Sequence, residues 1–253
     1  MNSKIVKIFL SLSIFFSTSL FSSTITIAVA SNVSYAINSL TKEFNTIYPD
    51  TKVRVILGSS GKLTAQIKHG APYHVFMSAN MNYPQALYDE DLGISKPVVY
   101  AQGGLACLSG KKRNFTECMQ LALSSNIDKI AVANPRTAPY GIATAEALKN
   151  AAIYGKIEKK FVYGESISQT VSYAVTAADM GFIAKSSLYS PHMAQYKKGE
   201  NWIDVDSKLY TSISQGMILL KDAKENREAK AFYDFILSDK AKKILRDFGY
   251  LAP

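Results

Sequence analysis

Along this chain, apolar runs of strand length alternate with stretches of helical period, and three of those runs exit straight into small hydroxyl residues. The run 24–30 is followed by Ser31 and Asn32, the run 53–57 by Gly58, Ser59, Ser60 and Gly61, and the run 161–163 by Ser166, Ile167 and Ser168. A strand that ends in Ser or Gly and opens a helix leaves unpaired backbone N–H groups at its carboxyl end. Several such ends turned toward one point hold an anion by hydrogen bonds and helix dipoles, with no counter-charge. The alternation itself predicts an α/β chain.

The remaining pattern fills in that frame. Val33, Ala36, Ile37, Leu40, Phe44 and Ile47 recur at helical spacing, and Pro49 stops the helix. Leu63 and Ile67 belong to a short helix closed by Gly70, and Val75–Met77 is a buried strand. A second series starts with the strand 129–133 and a helix bearing Ile142, Ala145, Leu148 and Ala152. Further strands are expected at 161–163, 181–184 and 217–220. The tail, 229–248, reads as amphipathic helix with Ala231, Phe232, Phe235, Ile236, Ala241 and Ile244 on one side. No repeat and no low-complexity linker divides the chain. About 230 residues of globular sequence suit two lobes with their own cores. Lobes without a linker imply that the chain crosses between them more than once. The crossings are expected near Gly103-Gly104-Leu105 and between Ser212 and Gln215, giving lobe 1 as 24–104 plus 213–253 and lobe 2 as 105–212.

Residues 1–23 have a different character. Lys4 and Lys7 form a basic head, residues 8–21 carry no charge, and Leu20 and Ser22 suit the small-residue positions before a cut. This predicts a cleavable export signal, since the uncharged stretch is short of the roughly 20 residues a membrane span needs. No Cys stands at the junction to carry a lipid. The formal net charge is +9, of which Lys4 and Lys7 supply two, leaving +7 on the mature chain. The basic residues are scattered, without an aromatic-interleaved stripe, so nucleic acid is not an expected partner. An oxidising compartment permits a bond between Cys107 and Cys118, but sequence leaves both the bridge and two buried thiols open.

Catalysis finds little support. The three histidines, His69, His74 and His192, show no metal-ligand spacing, and there is no Gly-x-Ser-x-Gly elbow or phosphate loop. A serine nucleophile needs a nearby base, and no His lies in the segments around Ser31 or Ser60. An effector domain of a regulator would lack the leader and carry a DNA-binding segment, the opposite of what is seen.

Five short motifs then point one way: Ala30-Ser-Asn32, Gly58-Ser-Ser-Gly-Lys-Leu-Thr-Ala-Gln-Ile67, Gly70-Ala-Pro72, Asn134-Pro135 with Ala138-Pro-Tyr-Gly141, and Gly164-Glu-Ser-Ile-Ser-Gln169. With the tail Ala231-Phe-Tyr-Asp-Phe-Ile236 and Phe248-Gly-Tyr250, they resemble the molybdate-binding proteins of bacterial ABC importers across essentially the whole mature chain. The resemblance implies the type II periplasmic binding-protein fold: two Rossmann-like lobes with a cleft and two crossover strands. It implies a periplasmic monomer that takes molybdate, and tungstate with it, to a membrane permease. No enzyme activity, cofactor or resident metal goes with it, the molybdenum being part of the ligand. Carried over, Ser31 and Ser60 are the hydroxyl ligands of lobe 1, Asn32 a ligand beside Ser31, and Tyr140 and Ile167 the backbone donors of lobe 2. Ser59 and Ser168 are secondary candidates. The Tyr140 hydroxyl either reaches the anion or holds a group of lobe 1. Ala184 stands where some relatives have a ligand Tyr, and His74 and Asn80 stand where the family usually has Asp.

The chemistry is consistent with that implication. Molybdate is a tetrahedral dianion offering only acceptor oxygens. Charge-assisted hydrogen bonds contribute about 1.5–3 kcal/mol each and helix N-termini about 0.3–2 kcal/mol. Several of them, less the cost of closing the lobes, reach the roughly −8 kcal/mol of micromolar binding or better.

Overall fold

Two five-stranded sheets organise the chain, which the computed structural model describes over residues 23–251 apart from 114 and 116. In the first half, β1 (Ser23–Ala30) leads through a short 3₁₀ turn (Ser31–Tyr35) into α1 (Ile37–Ile47) and back to β2 (Thr51–Gly58). Then come α2 (Ser60–Lys68), β3 (Val75–Met77), α3 (Asn82–Asp89) and β4 (Val98–Gly103). One residue later the chain enters the other sheet as β5 (Leu105–Leu108), followed by α4 (Cys118–Leu123), β6 (Ile130–Ala133) and α5 (Pro139–Asn150). The short α6 (Tyr154–Ile157) precedes β7 (Phe161–Gly164), α7 (Ile167–Thr176), β8 (Met180–Ala184) and β9 (Trp202–Asp204). The chain returns to the first sheet as β10 (Ile213–Leu219) and ends in α8 (Arg227–Ile236) and α9 (Asp239–Asp247).

The first sheet runs β2-β1-β3-β10-β4 and the second β7-β6-β8-β5-β9. In the first sheet β1, β2 and β3 are parallel and β10 runs antiparallel to β3 and β4; in the second β6, β7 and β8 are parallel and β5 runs antiparallel to β8 and β9. Helices cover both faces. The buried strands read as near-continuous apolar runs for that reason. Phe44 of α1 packs edge-on against Phe232 of α8 at 5.1 Å between ring centroids, fixing the C-terminal helices to the first lobe. No helix among the described residues is long and apolar enough to cross a membrane.

Several expectations change here. Residues 1–22 of the predicted leader lie outside the described residues, and Ser23, read as its last residue, is the first of β1 and pairs with Thr51. The tail is two helices, not one. Ser238 ends the first run by accepting a hydrogen bond from the Ala241 N–H at 3.3 Å, a serine doing what helix interiors disfavour and helix starts reward. Of the residues read on α5, Leu148 is buried and Ile142 is not. Ile142 is 45% exposed, while Ala143, Thr144, Ala147 and Leu148 are buried. The reason lies in Gly141: a Cβ there would stand 2.2 Å from the Ala133 carbonyl oxygen, so α5 lies on β6 through its small residues. Cys107 and Cys118 form a disulfide with Cα atoms 6.0 Å apart, which resolves the alternative the sequence left open.

Candidate functional site

The register of the parallel strands decides where the helix starts meet. Ala30 is level with Gly58, and Val29 with Met77, so β1, β2 and β3 end together and release Ser31, Ser59 and Ser78 at one edge. In the second sheet Ala133 is level with Gly164, so β6 and β7 also end together and lead to the starts of α5 and α7. Crevices beyond the carboxyl ends of parallel strands are where α/β sheets bind ligands. Here the two edges face each other across a narrow cavity. Its lining is Ala30, Ser31, Asn32, Ser59, Ser60 and Ala79 from one side, and Ala138, Pro139, Tyr140 and Ile167 from the other.

Five candidates from the sequence, Ser31, Asn32, Ser60, Tyr140 and Ile167, therefore share one cavity, and Ser59 joins them. Ser168 does not line it. Neither Ser31 nor Ser60 is a helix cap: no side-chain cap bond closes the 3₁₀ turn or α2. The Ser60 Oγ accepts from the Ala79 N–H at 3.0 Å, which leaves its own proton free to donate. The Ser31 Oγ accepts across the cleft from the Ser168 N–H at 3.5 Å. Ser59 occupies the cap position of α2 yet caps nothing, and its buried Oγ has no partner. Ile167 is the first residue of α7, whose start is capped by Ser166 accepting from the Gln169 N–H at 3.3 Å. The N–H groups of such first-turn residues have no carbonyl within their own helix.

Asn32 and Tyr140 have a second set of neighbours. The Asn32 amide donates to Gln215 Oε1 and to the Tyr250 hydroxyl, both at 2.8 Å, while its Oδ1 is unpartnered. Tyr250 donates back to the Asn32 carbonyl oxygen at 2.9 Å, and Ser186 Oγ donates to the same oxygen at 3.2 Å. Both donors of the Asn32 side chain are thus used within the protein, so it acts neither as a cap nor as an amide donor to the cavity. Tyr140 is among the lining residues, but its buried hydroxyl has no partner of good geometry and lies beside Gln215. Burial, helped by the neighbouring Tyr250, pushes this hydroxyl well above its ordinary pKa of 10, so it stays neutral.

No Asp, Glu, Lys, Arg or His lines the cavity. Lys62, two residues after Ser60, pairs with Glu165 at 2.6 Å, both side chains more than half exposed, so the Lys62 charge is answered from the opposite lobe. The Gly61 N–H donates to the Thr137 carbonyl at 2.9 Å beside it. Among the described residues no cluster of His, Cys, Asp or Glu could hold a metal ion. A wider surface cleft lies between Ser109–Lys111 and the C-terminal end of α7, but a helix end presents carbonyls, the wrong polarity for an anion. Sequence reasoning missed Gln215. The only trace in the sequence is a polar pair, Ser214 and Gln215, ahead of the apolar run 217–219, and burial of Gln215 shows only in the fold.

The model of the bacterial extracellular solute-binding protein family matches residues 25–251. The chain belongs to that family. This solute-binding protein is 33% identical over 201 residues to the molybdate-binding protein ModA of Rhodobacter capsulatus, covering 79% of this chain and 77% of the relative. It is 31% identical over 231 residues to the ModA of Azotobacter vinelandii, covering 89% of each. The solved structure of the periplasmic molybdate-binding protein of A. vinelandii superposes with a TM-score of 0.84 at 27% identity, over 90% of this chain and 99% of that one. The solute-binding protein thus has the two-lobed fold of periplasmic binding proteins.

Proposed function

We propose that this solute-binding protein captures molybdate in the periplasm and delivers it to the permease of an ABC importer. The observation that carries the reading is the cavity between the two sheet edges, built from three serines and four helix starts and lined by no charged side chain. Such a lining suits a dianion that offers only acceptors. Phosphate carries a proton near neutral pH and needs it accepted, which a lining without a carboxylate does poorly. The relatives bearing the name molybdate-binding protein support the choice among oxyanions.

In this reading Ser31, Ser60 and now Ser59 donate from lobe 1, residues 24–104 with 213–253. Tyr140 and Ile167 donate backbone N–H groups from lobe 2, residues 105–212. Asn32 contributes through its place in the first turn, and Ser168 through its bond to Ser31. The leader that precedes β1 is removed on export, and the mature chain works as a monomer. The ligand leaves unchanged, so the protein is a carrier and not an enzyme. Tungstate, of nearly the same size and charge, binds alongside molybdate.

Calorimetric titration of the purified mature protein with molybdate, tungstate, sulfate and phosphate tests this. Tight binding of the first two with little or none of phosphate is expected. Phosphate or a sugar binding more tightly than molybdate would overturn it.

A further inference from the structure

Behind the cavity, both crossings of the chain and both lobes meet in one buried polar hub. Gly103 ends the first crossing strand and Gln215 lies in the second, where the register of β10 against β4 shifts between Gln215 and Gly216. Such a bulge re-aims a side chain, and the Gln215 amide turns to Asn32 of lobe 1 while its Nε2 donates to the Ile213 carbonyl at 3.1 Å. From lobe 2 comes Tyr140. A Cβ added to Gly103 would lie 2.1 Å from the Tyr140 hydroxyl oxygen and 2.9 Å from Gln215 Nε2. The hydroxyl is therefore seated directly on the backbone of one crossing and beside the side chain of the other. The main chain of the same residue opens α5 at the cavity.

We propose that Tyr140 is a positioning residue: its hydroxyl is a spacer that sets how near the start of α5 approaches lobe 1, and so sets the size of anion the cavity accepts. This rests on the reading of the cavity as an oxyanion site. The hydroxyl does not touch the anion. It bears on Gly103 and Gln215, whose positions are fixed by the two crossings, and the rigid ring passes that distance to the α5 N–H groups. Removing the oxygen lets α5 settle closer and favours a smaller dianion such as sulfate. Adding a methyl group at Gly103 pushes α5 away and weakens every dianion.

The test is a double-mutant cycle of Gly103→Ala and Tyr140→Phe, read by calorimetry with molybdate and with sulfate. Tyr140→Phe should lower the molybdate-to-sulfate affinity ratio about tenfold. An equal loss for both anions would identify the hydroxyl as a direct donor and overturn the proposal. Gly103→Ala, which meets the cavity lining only through the Tyr140 hydroxyl end, should weaken molybdate at least tenfold. The double variant should recover to within about threefold of Tyr140→Phe alone, because the severe clash with the oxygen is gone and the milder one with Gln215 Nε2 is with the end of a side chain. Losses that simply multiply would also overturn it. Should Gly103→Ala not fold, the ratio measured on Tyr140→Phe decides by itself. If the parent binds no dianion, the oxyanion reading fails first, and the spacer falls with it. A parent that binds molybdate while the ratio stays unchanged sinks only the spacer.

Discussion

A serine hydroxyl that already accepts one hydrogen bond has its proton left to give, and burial makes that proton valuable. Ser60 is in that state, holding the Ala79 N–H, and Ser31 holds the Ser168 N–H. Ser31→Ala and Ser60→Ala should each remove one charge-assisted bond, about 1.5–3 kcal/mol, or roughly 10- to 150-fold in molybdate affinity by calorimetry. Ser59→Ala belongs with them, because its hydroxyl is buried and unpartnered. If all three variants bind like the parent, the site is elsewhere. The position of Ser60 was legible in the sequence, since a hydroxyl after a strand and before a helical period can face only the sheet edge. The weight of Ser59 was not, because cap and ligand share the same local pattern and only the unbonded Oγ separates them. Buried tyrosines add a pH dependence. Burial holds Tyr100 and Tyr140 well above 10 in the fold, whereas the unfolded chain releases those protons near 10. Their contribution to stability is thus complete below about pH 10 and is lost as pH rises further. Melting temperature should be flat from about pH 7 to about pH 9 and fall above about pH 10.

At the scale of elements, what matters is which ends are level. Strand and helix order could be read from periodicity, but the register that brings Ala30 beside Gly58 and Ala133 beside Gly164 is a tertiary fact. Short segments such as β9 and α3 escaped notice because they mix polar residues, and in α3 a proline, into a few residues and carry no clean apolar period. Along α5 apolarity alone does not give the buried face: Ile142 is exposed, whereas close packing selects Gly141 and the small residues beside Leu148. The disulfide offers a prediction of this scale. It ties the start of α4 to β5 across a separation of 11 residues, away from the cavity lining. Cys118→Ser should lower stability by about 2–4 kcal/mol in urea denaturation while leaving molybdate affinity within about twofold of the parent. A large loss of affinity would show that the second lobe transmits strain from this loop to the cleft.

For the whole molecule the question is what holds the two lobes shut. The direct clasps across the cleft mouth are few. One is the neutral bond from Gly61 to Thr137, which contributes about 0.5–1.5 kcal/mol. The Lys62–Glu165 pair is more than half exposed and contributes at most about 1 kcal/mol. The Ser168–Ser31 contact is long, at 3.5 Å. The buried bond from Ser186 to the Asn32 carbonyl oxygen also joins the lobes, so a ligand acts on the balance between this small set of links and an open form. An anion that bonds donors of both lobes binds the closed form alone and shifts that balance by its full differential affinity. Small-angle scattering should therefore show a smaller radius of gyration with saturating molybdate than without. Lys62→Ala should leave the liganded value unchanged and weaken binding no more than about fivefold, in keeping with an exposed pair. Identical scattering curves with and without molybdate, with binding confirmed on the same sample, would mean that the clasps suffice by themselves. The anion would then have to enter through a preformed closed cavity.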